Sequence, residues 1–564
     1  MNLLDRFLPR QEFKSYEDFK ENYRLNIPDR FNFAYDVVDE YARLQPDKPA
    51  LVWCNDDGEE RRLSFGDVSR LSSQVANAYR ALGIRKGDTV MLMLKQRVEA
   101  WLCIVGLCKI GAVCIPASFQ LTEKDIIYRC NAAGVKMITA VDDADILHHI
   151  SLSLENCPTL LHVGIVGENV PAGGPYLDFR KAYEAAGESH PRPSGTPEDT
   201  ANRDPMLVYF SSGTTGMPKM ILHDFDYPLG HIVTAKYWQQ VEDEGLHLTV
   251  SDSGWAKFAW GKIFGQWICG AVNVAYDTDK FNAVKLLQTM DRLRLTSFCA
   301  PPTIYRFLIK EDLSVCDFSS IRHCGIAGEP LNPEVYYRFK EATGLEVREG
   351  FGQSETSVII ANFPWFKVKP GSTGKPSPLY DLDIVDENGV SCEDGVVGSI
   401  VIKNTDKSHP TGLFRCYYQD EAAMERSWTG GVYNTGDMAW RDSEGYLWFE
   451  GRNDDVIKCS GYRIGPFEVE SALLTHPSVL ECAVTAVPDP VRGQVVKATV
   501  VLARNRGYAP SEALKKELQN HVKKVTAPYK YPRVVEFVEE LPKTVSGKIR
   551  RVEIRENDRR PENG

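Results

Sequence analysis

Residues 208–220 read VYFSSGTTGMPKM, an apolar run that passes into small and hydroxyl-bearing residues and ends beside a lysine. Gly213, Gly216 and Lys219 recur at every third position. The hydroxyl groups come from Ser211, Ser212, Thr214 and Thr215. Glycines bring backbone N–H groups close to phosphate oxygens, hydroxyls add donors, and lysine adds a mobile positive charge. The pattern predicts a buried strand that delivers a phosphate-binding loop.

The loop differs from the P-loop of nucleoside triphosphatases. That motif, G-x-x-x-x-G-K-[ST], places its lysine directly after the last glycine, whereas Met217 and Pro218 separate Gly216 from Lys219 here. Pro218 also lacks a backbone donor. Taken alone, the stretch is also compatible with a plain surface turn, so its role depends on the motifs that accompany it.

Composition indicates a globular protein with several domains. The chain has 564 residues, of which 43% are hydrophobic and 25% are charged, and single cores stop growing near about 250 to 300 residues. The net charge of −11 argues against binding nucleic acid through bulk electrostatics, because such proteins concentrate positive charge. The 14 cysteines form no C-x-x-C pairs, which predicts reduced, mostly buried thiols.

The sequence contains no recognisable targeting or membrane segment. The first residues, MNLLDRFLPRQEFKSYEDFK, alternate apolar with charged side chains and lack the apolar core of a signal peptide. No apolar stretch reaches the roughly 18 residues of a membrane span, and even VGLCKIGAVCIPA is interrupted by Lys109. We therefore expect a cytoplasmic protein without a membrane span.

The pattern of apolar residues changes once along the chain. From about residue 33 to about residue 450, short apolar runs alternate with segments of helical spacing, which favours a layered α/β architecture. After GRNDD at 451–455, strand-like and helical segments follow within about 100 residues, enough for a small α+β domain. We predict a large domain over residues 1–453 and a small one over 454–564.

Further motifs give the opening loop its context. They are GEPLNP (328–333), EGFGQSET (349–356), GSTGKP (371–376), YNTGDMAWRDSEGYLWFEGRNDD (433–455), KCSGYRIGPFEVE (458–470) and LPKTVSGKIRR (541–551). In this order they resemble the adenylate-forming superfamily of acyl-CoA synthetases, peptide-synthetase adenylation domains and luciferases. SDSGWAKFAWGKIFGQW (251–267) is most similar to medium-chain acyl-CoA synthetases.

The resemblance implies a reaction in two steps. A carboxylate and ATP form an acyl-adenylate and pyrophosphate, and the thiol of coenzyme A then displaces AMP to give the thioester. It also implies a large N-terminal domain of sheets and packed helices joined by a hinge to a mobile C-terminal lid. ATP, Mg²⁺ and CoA are the expected cofactors, and a small carboxylic acid is the expected substrate.

The resemblance assigns roles to the first-step residues. Lys548 matches the adenylation lysine, which bridges the attacking carboxylate and the α-phosphate. Glu355 matches the magnesium-linked glutamate, and a hard carboxylate oxygen suits that cation. Thr214 of the loop is expected to be catalytic together with Lys548 and Glu355. A lysine in a basic tail would otherwise be solvated, and a loop glutamate likewise.

Other positions are expected to hold the nucleotide. Ser354 would donate to the α-phosphate, Phe351 would stack on adenine, and the two oxygens of Asp437 would receive the ribose hydroxyls. Arg452 would add a ribose or phosphate contact, or is only an ion pair near the hinge. The remaining positions are Gln120, Gly328, Glu329, Pro330, Glu349, Gly350, Gly352 and Gln353.

The second step implies a rotation of the lid about Asp454. The turn containing Ser460, Gly461, Tyr462 and Arg463 would then line the pantetheine of CoA. Arg492 and Arg533 match arginines that hold the CoA phosphates, for which forked guanidinium donors are suited, although either is also compatible with a surface ion pair.

The acyl pocket is expected to lie near Gly352. Acetate-specific relatives carry tryptophan at that position, so its absence predicts room for a longer, branched or aromatic acid. Trp255 and Trp260 are candidate walls, with ordinary core packing as the alternative. Lys257 lies between them and either contacts the substrate or extends its ammonium group into water.

Two other functions stay open at this point. A free-standing ligase could load a separate carrier protein instead of CoA, and a nucleotide-binding sensor could retain the fold without turnover. Glu355, Asp437 and Lys548 are all present, which argues against a decayed site. The oligomeric state is open, and a homodimer is among the alternatives.

Overall fold

The computed structural model describes residues 3–211, 217–459, 462–490, 492–503, 507–543 and 549–559. It contains a large N-terminal domain of sheets and helices and a smaller C-terminal domain, which confirms the predicted α/β class. The predictions for residues 212–216, 460, 461 and 548 lie outside the described residues, and so do the side chains of residues 462 and 463.

A nine-stranded sheet carries one half of the large domain. In spatial order, and numbered by position along the chain, its strands are β16 (Lys375–Pro376), β15 (Ile360–Ala361), β14 (Val347–Phe351), β13 (His323–Ile326), β12 (Ser297–Ala300), β10 (Leu246–Thr249), β11 (Val272–Asp277), β1 (Pro49–Asn55) and β2 (Glu60–Ser64). The strands from β14 to β1 are parallel. Their carboxyl ends therefore meet at one edge, where ligands bind in open α/β sheets.

An eight-stranded sheet forms the other half. Its strands are β19 (Cys416–Tyr417), β9 (Lys219–Asp224), β8 (Pro205–Ser211), β4 (Val113–Pro116), β3 (Thr89–Met93), β5 (Met137–Val141), β6 (His162–Val166) and β7 (Tyr176–Asp178). Met206, Leu207, Val208 and Tyr209 are all buried, which confirms the predicted buried strand ahead of the loop. Strand β9 runs antiparallel to both of its neighbours, β8 and β19.

Helices fill the layers around these sheets. The α-helices are α1 (Tyr16–Asn22), α2 (Glu40–Leu44), α3 (Phe65–Ala81), α4 (Val98–Ile110), α5 (Glu123–Ala133), α6 (Ala144–Ser153), α7 (Phe179–Glu184), α8 (Tyr227–Ile232), α9 (Ala256–Gly261), α10 (Phe264–Ile268), α11 (Ala283–Leu293), α12 (Pro302–Leu308), α13 (Pro333–Thr343) and α14 (Glu421–Ser427). Short 3₁₀ segments cover Leu3–Arg6, Leu154–Asn156, Leu313–Val315, Phe318–Ser320 and Pro528–Lys530, and π segments cover Ala34–Asp39 and Val233–Trp238.

Local sequence explains where the main helices start and stop. Ser64 and Asp67 form a reciprocal capping box that starts α3, and such caps satisfy backbone N–H groups that have no partner inside the helix. Every residue of α4 is buried, as its nearly continuous apolar sequence requires. Gly111 ends α4 in the left-handed region, where glycine carries no steric penalty. No helix in the described ranges combines the length and apolar character that a membrane span requires.

A five-stranded antiparallel sheet closes the large domain. It contains β17 (Leu382–Val385), β18 (Gly398–Ile402), β21 (Val432–Arg441), β20 (Trp428–Thr429) and β22 (Leu447–Arg452). Strands β21 and β22 pair so that Asp437 lies opposite Arg452. Two predicted nucleotide contacts, 15 residues apart in sequence, are therefore direct neighbours.

The C-terminal domain has a sheet of its own. Its elements are β23 (Ile457–Cys459), β24 (Tyr462–Ile464), β25 (Val479–Asp489), β26 (Gly493–Leu502), β27 (Val534–Val538), α15 (Pro466–Leu474), α16 (Glu512–Val525) and α17 (Arg551–Arg559). A turn at residues 453–456 separates β22 from β23. The predicted boundary at 453/454 lies in this turn, and movement about Asp454 stays a prediction.

The 14 cysteines are all free thiols, and 13 of them are buried. They are spread over both domains rather than clustered. Burial raises the pKa of a representative thiol, that of Cys54, to about 11. The predicted burial of most of the thiols is confirmed.

Candidate active site

Lys219 begins the strand that follows the opening loop. It pairs across the hairpin with Ser211, so the two described ends of the loop lie side by side. The Lys219 ammonium is 4.6 Å from the centre of the Tyr417 ring, a distance typical of a cation–π contact. Lys219 is therefore held over a ring rather than extended into solvent.

Glu355 lies in the loop that follows β14. The Tyr417 hydroxyl donates a 2.9 Å hydrogen bond to Glu355 Oε1, and the Phe414 N–H donates a 2.6 Å hydrogen bond to the Glu355 carbonyl. The residue is half-buried. A partly exposed carboxylate that shares the Tyr417 side chain with a lysine fits a magnesium ion shared with phosphate oxygens, because that ion binds hard oxygen ligands.

Gln353 links the same loop to β21. Its amide donates to Asp437 Oδ2 at 2.5 Å and to the Thr435 carbonyl at 2.7 Å, while the Tyr433 hydroxyl donates to its Oε1 at 2.8 Å. Sequence reasoning placed Gln353 among the nucleotide contacts. In the structure its amide orients the buried carboxylate of Asp437, and a direct nucleotide contact stays a prediction.

Arg452 ends β22, directly before the turn at residues 453–456. Its Nε lies 3.6 Å from Asp454 Oδ1, and its Nη2 would lie 3.2 Å from a Cβ atom added at Gly436. Burial lowers the pKa of the Arg452 guanidinium, but the charges of Asp437 and then Asp454 raise it by more, so the pKa lies above its ordinary value. Both readings of Arg452, as ribose contact and as hinge ion pair, are compatible with this geometry.

Phe351, Ser354 and Gln120 also border this region. The Phe351 ring is half-buried and lies 5.6 Å from the Phe449 ring, so it is not enclosed in the core. The Ser354 carbonyl accepts a 2.8 Å hydrogen bond from His223 Nε2. Gln120 is exposed, and its N–H donates to Ser118 Oγ at 3.3 Å. Their nucleotide contacts stay predictions.

Gly350 and Gly352 admit two tryptophan rings against the backbone. A Cβ atom at position 350 would lie 2.3 Å from Trp238 Cε2, and one at position 352 would lie 2.2 Å from Trp260 Cη2. The two rings meet edge to face at 6.2 Å. Trp260 occupies the volume next to the Gly352 Cα, and the predicted room for a longer, branched or aromatic acid stays a prediction. Sequence analysis did not assign Trp238 to this region, although the two glycines of EGFG indicate that large rings pack against this stretch of backbone.

The neighbouring segment carries the other predicted pocket residues. The Lys257 ammonium donates a 2.8 Å hydrogen bond to the Ala327 carbonyl, at the carboxyl end of the parallel strands. Among the described residues, no hydrogen-bond partner faces the buried Nε1 of Trp255. A buried donor without a protein partner is uncommon, and a bound ligand could satisfy it.

Glu349 holds the 328–333 loop against the sheet. Its Oε2 accepts a 3.1 Å hydrogen bond from the Leu331 N–H, and its side chain is buried. Burial raises the pKa of the Glu349 carboxyl from 4.5 to about 8. Gly328 in this loop has a φ of 110°, a conformation that favours glycine, while Glu329 and Pro330 are half-buried.

The raised pKa of Glu349 predicts a pH-dependent stability. Above pH 4.5 the unfolded chain releases this proton, whereas the folded protein retains it until about pH 8, so the free energy of unfolding falls as pH rises across this window. Glu349→Gln should flatten that fall. Urea unfolding at about pH 5 and about pH 8 measures this fall in the free energy of unfolding. Glu346→Gln is the control, because Glu346 forms an ion pair with Lys340 at 2.8 Å. Equal slopes for wild type and Glu349→Gln would contradict the prediction.

The C-terminal domain contacts the large domain beside the 328–333 loop. Asn332 Nδ2 donates to the Ser471 carbonyl at 3.1 Å, and Arg551 pairs with the buried Glu470 at 2.7 Å. Burial lowers the pKa of the Arg551 guanidinium, but the charges of Glu470 and, less strongly, Asp455 and Glu329 raise it by more, so the pKa is above its usual range. Arg551 lies three residues after Lys548 in the sequence.

The predicted CoA contacts lie apart from these residues in the C-terminal domain. Tyr462 and Arg463 belong to β24. Arg492 is exposed at the start of the turn into β26, and its N–H donates to Asp489 Oδ1 at 2.8 Å. The Arg533 guanidinium is 4.9 Å from the centre of the Tyr531 ring. Their roles toward CoA stay predictions.

Comparison with known families agrees with this architecture. The model of the AMP-binding enzyme family matches residues 38–418, and the model of the AMP-binding enzyme C-terminal domain matches residues 468–548. The first match alone covers more than half of the 564 residues. The chain belongs to the AMP-binding enzyme family, and the predicted superfamily is confirmed.

Within that family, the chain is similar to acyl-CoA synthetases. It is 42% identical over 555 residues to acyl-coenzyme A synthetase ACSM3, mitochondrial, from Mus musculus, covering 97% of this chain and 94% of the relative. The anthranilate CoA ligase AuaEII in complex with anthranoyl-AMP superposes with a TM-score of 0.84 at 30% identity, covering 94% and 98% of the two chains. A benzoate CoA ligase from Burkholderia xenovorans LB400 gives 0.79 at 25% identity, covering 93% and 100%.

Proposed function

We propose that this chain is an ATP-dependent, AMP-forming acyl-CoA synthetase. The proposal is carried by two sets of side-chain contacts that meet on the loop after β14: one joins Lys219 through Tyr417 to Glu355, and the other joins Gln353 to Asp437. In this proposal Lys219 and Glu355 serve the phosphates of ATP, and Asp437 serves the ribose hydroxyls. Similarity to acyl-CoA synthetases over nearly the whole chain supports the same function.

In the first step, a carboxylate oxygen of the acid would attack the α-phosphorus of ATP. The bond from that phosphorus to the bridging oxygen breaks, and pyrophosphate leaves with both electrons. Lys219 and the opening loop would hold the β- and γ-phosphates, and Lys548 would bridge acid and α-phosphate. Charge neutralisation and positioning supply most of the rate in such transfers. Magnesium, held through Glu355, would neutralise phosphate charge.

In the second step, the CoA thiolate would attack the acyl carbon and AMP would leave. We infer that the C-terminal domain turns about Asp454, in the short turn between β22 and β23, to bring residues 460–463 to the pantetheine. A few residues in a turn can absorb such a backbone change. Arg492 and Arg533 would then hold the CoA phosphates.

The acid class is inferred from the pocket beside β14. Trp238 and Trp260 form an apolar corner against Gly350 and Gly352, and the buried indole N–H of Trp255 is available to a polar ligand atom. Flat aromatic walls suit apolar acids such as medium-chain, branched or aromatic ones. Two similar structures are described as benzoate and anthranilate CoA ligases, which supports an aromatic acid as the substrate.

Exchange of labelled pyrophosphate into ATP tests the first step, and the choice of acceptor tests the second. We expect exchange only with added acid, tested over straight, branched and aromatic acids. With CoA present, we expect AMP and acyl-CoA in equal amounts, detected by mass spectrometry. Transfer to a phosphopantetheinyl carrier protein but not to CoA would instead identify a carrier-loading ligase. ATP binding without exchange for every acid would identify a sensor.

We propose a cytoplasmic location for this chain, whereas the mouse relative is described as mitochondrial. Recovery of the chain outside the cytosolic fraction of its cells would contradict the proposal. A homodimer is the assembly we would test first, and a monomeric mass in light scattering would exclude it.

A further inference from the structure

Residues 413–418 tie the two halves of the proposed phosphate site together. On one side, Leu413 bridges to Thr356, next to Glu355. On the other, the Tyr418 N–H donates a 2.7 Å hydrogen bond to the carbonyl of Met220, next to Lys219. The segment therefore fixes the distance between the loop that carries Glu355 and the strand that begins with Lys219.

The side chain of Tyr417 spans the same gap. Its hydroxyl donates to Glu355 Oε1 at 2.9 Å, and the face of its ring lies 4.6 Å from the Lys219 ammonium. One side chain thereby contacts both the carboxylate and the ammonium group that the proposed function assigns to magnesium and the phosphates.

The surroundings hold the Tyr417 ring in place. The Phe414 ring lies 4.8 Å from it and 5.2 Å from the Tyr433 ring. The Tyr417 N–H also donates to the sulfur of Met424 at 3.1 Å. A ring packed against both a phenylalanine and a lysine has few alternative rotamers, so its hydroxyl is directed at Glu355.

We propose that Tyr417 is the positioning residue at the phosphate end of the site. Its hydroxyl sets the orientation of the Glu355 carboxylate toward magnesium, and its ring sets the position of the Lys219 ammonium group relative to the terminal phosphates. The inference rests on the proposed function, since it takes Mg·ATP as the ligand. In this proposal Tyr417 contacts neither the magnesium ion nor the phosphates. Its hydroxyl acts only through Glu355, and its ring acts only through Lys219, so the two contributions can be separated.

Tyr417→Phe separates them, because it removes the hydroxyl and keeps the ring. We measure the Kd of ATP by isothermal titration of the full-length protein, once with excess Mg²⁺ and once with EDTA. Loss of a hydrogen bond to a charged group predicts about a tenfold rise of the Kd with Mg²⁺. The Kd in EDTA should change by less than about twofold, because the Lys219 contact remains. Tyr418→Phe, the same chemical change one residue along, should leave both values unchanged.

A double mutant tests whether Tyr417 acts through Glu355. In a Glu355→Gln background, Tyr417→Phe should add less than about twofold to the Kd with Mg²⁺, because coupled groups are not additive. Equal weakening in Mg²⁺ and EDTA, an unchanged Kd with Mg²⁺, or a full effect in the Glu355→Gln background would each overturn the inference. Thermal unfolding within a few degrees of wild type shows that the variants are folded. Absence of ATP binding by the wild type would overturn the proposed function as well.

Discussion

Replacing Lys548 with alanine is expected to lower the kcat of acyl-CoA formation from a free acid by a factor of about 10² to 10³. Losing one group that stabilises charge in a transition state costs that much in other enzymes. The effect should be confined to the first step. When synthetic acyl-adenylate is supplied with CoA, the variant should form thioester at a rate within about threefold of wild type.

The control for this change is Lys543→Ala, in the same C-terminal segment. Lys543 pairs with Glu481 at 2.8 Å on the surface of the C-terminal domain, so its loss should alter neither step, and an exposed ion pair contributes little to stability. If Lys548→Ala slows the reaction from free acid and the reaction from acyl-adenylate equally, its role is not specific to adenylation. Retention of more than about a tenth of the wild-type rate from free acid would contradict the assignment.

Gly352→Ala is expected to have the second largest effect. The new Cβ would lie 2.2 Å from Trp260 Cη2 and 2.6 Å from the Ser357 carbonyl, so the Trp260 ring must move. That ring is buried and donates from Nε1 to the Thr356 carbonyl at 3.1 Å. Overpacking of this kind costs about 1 to 3 kcal/mol of stability. We expect kcat/KM for the acid to fall at least about tenfold.

The fall should depend on the acid. A Trp260 ring displaced from Gly352 moves toward the acyl pocket, so the ratio of kcat/KM for long over short acids should decrease, while the KM for ATP stays within about threefold. Gly187→Ala is the matched control, because its Cβ would meet nothing nearer than Asn77 Nδ2 at 3.6 Å. An unchanged ratio of long to short acids would show that Trp260 does not bound the pocket.

Much of this architecture could be predicted from short stretches of sequence. The apolar run before SSGTTG predicted β8, because a short continuous apolar run bounded by turn residues is typical of a fully buried strand. The polar cluster at 451–455 predicted the turn between the two domains. Asp437 and Arg452 were assigned separately, and the antiparallel pairing of β21 with β22 places them opposite each other.

Other features depend on contacts that sequence spacing does not reveal. Tyr417 lies 62 residues from Glu355 and nearly 200 from Lys219, and nothing in the local pattern CYYQD marks which tyrosine faces the site. Glu349 read as a nucleotide contact because of its motif, whereas its burial and its bond to Leu331 emerge only when β14 packs under the 328–333 loop. The packing of Trp260, on a neighbouring helix, against Gly352 is likewise a contact that the glycine alone does not reveal.

The central claim is that this site joins an acid to AMP before any thiol is involved. Exchange of labelled pyrophosphate into ATP, measured with wild-type protein in the absence of CoA, tests that claim most directly. The account predicts exchange that requires both Mg²⁺ and a carboxylic acid, reaches its highest rate with medium-chain, branched or aromatic acids, and disappears in Lys548→Ala. Exchange without any acid, or no exchange with any acid despite measurable ATP binding, would contradict it.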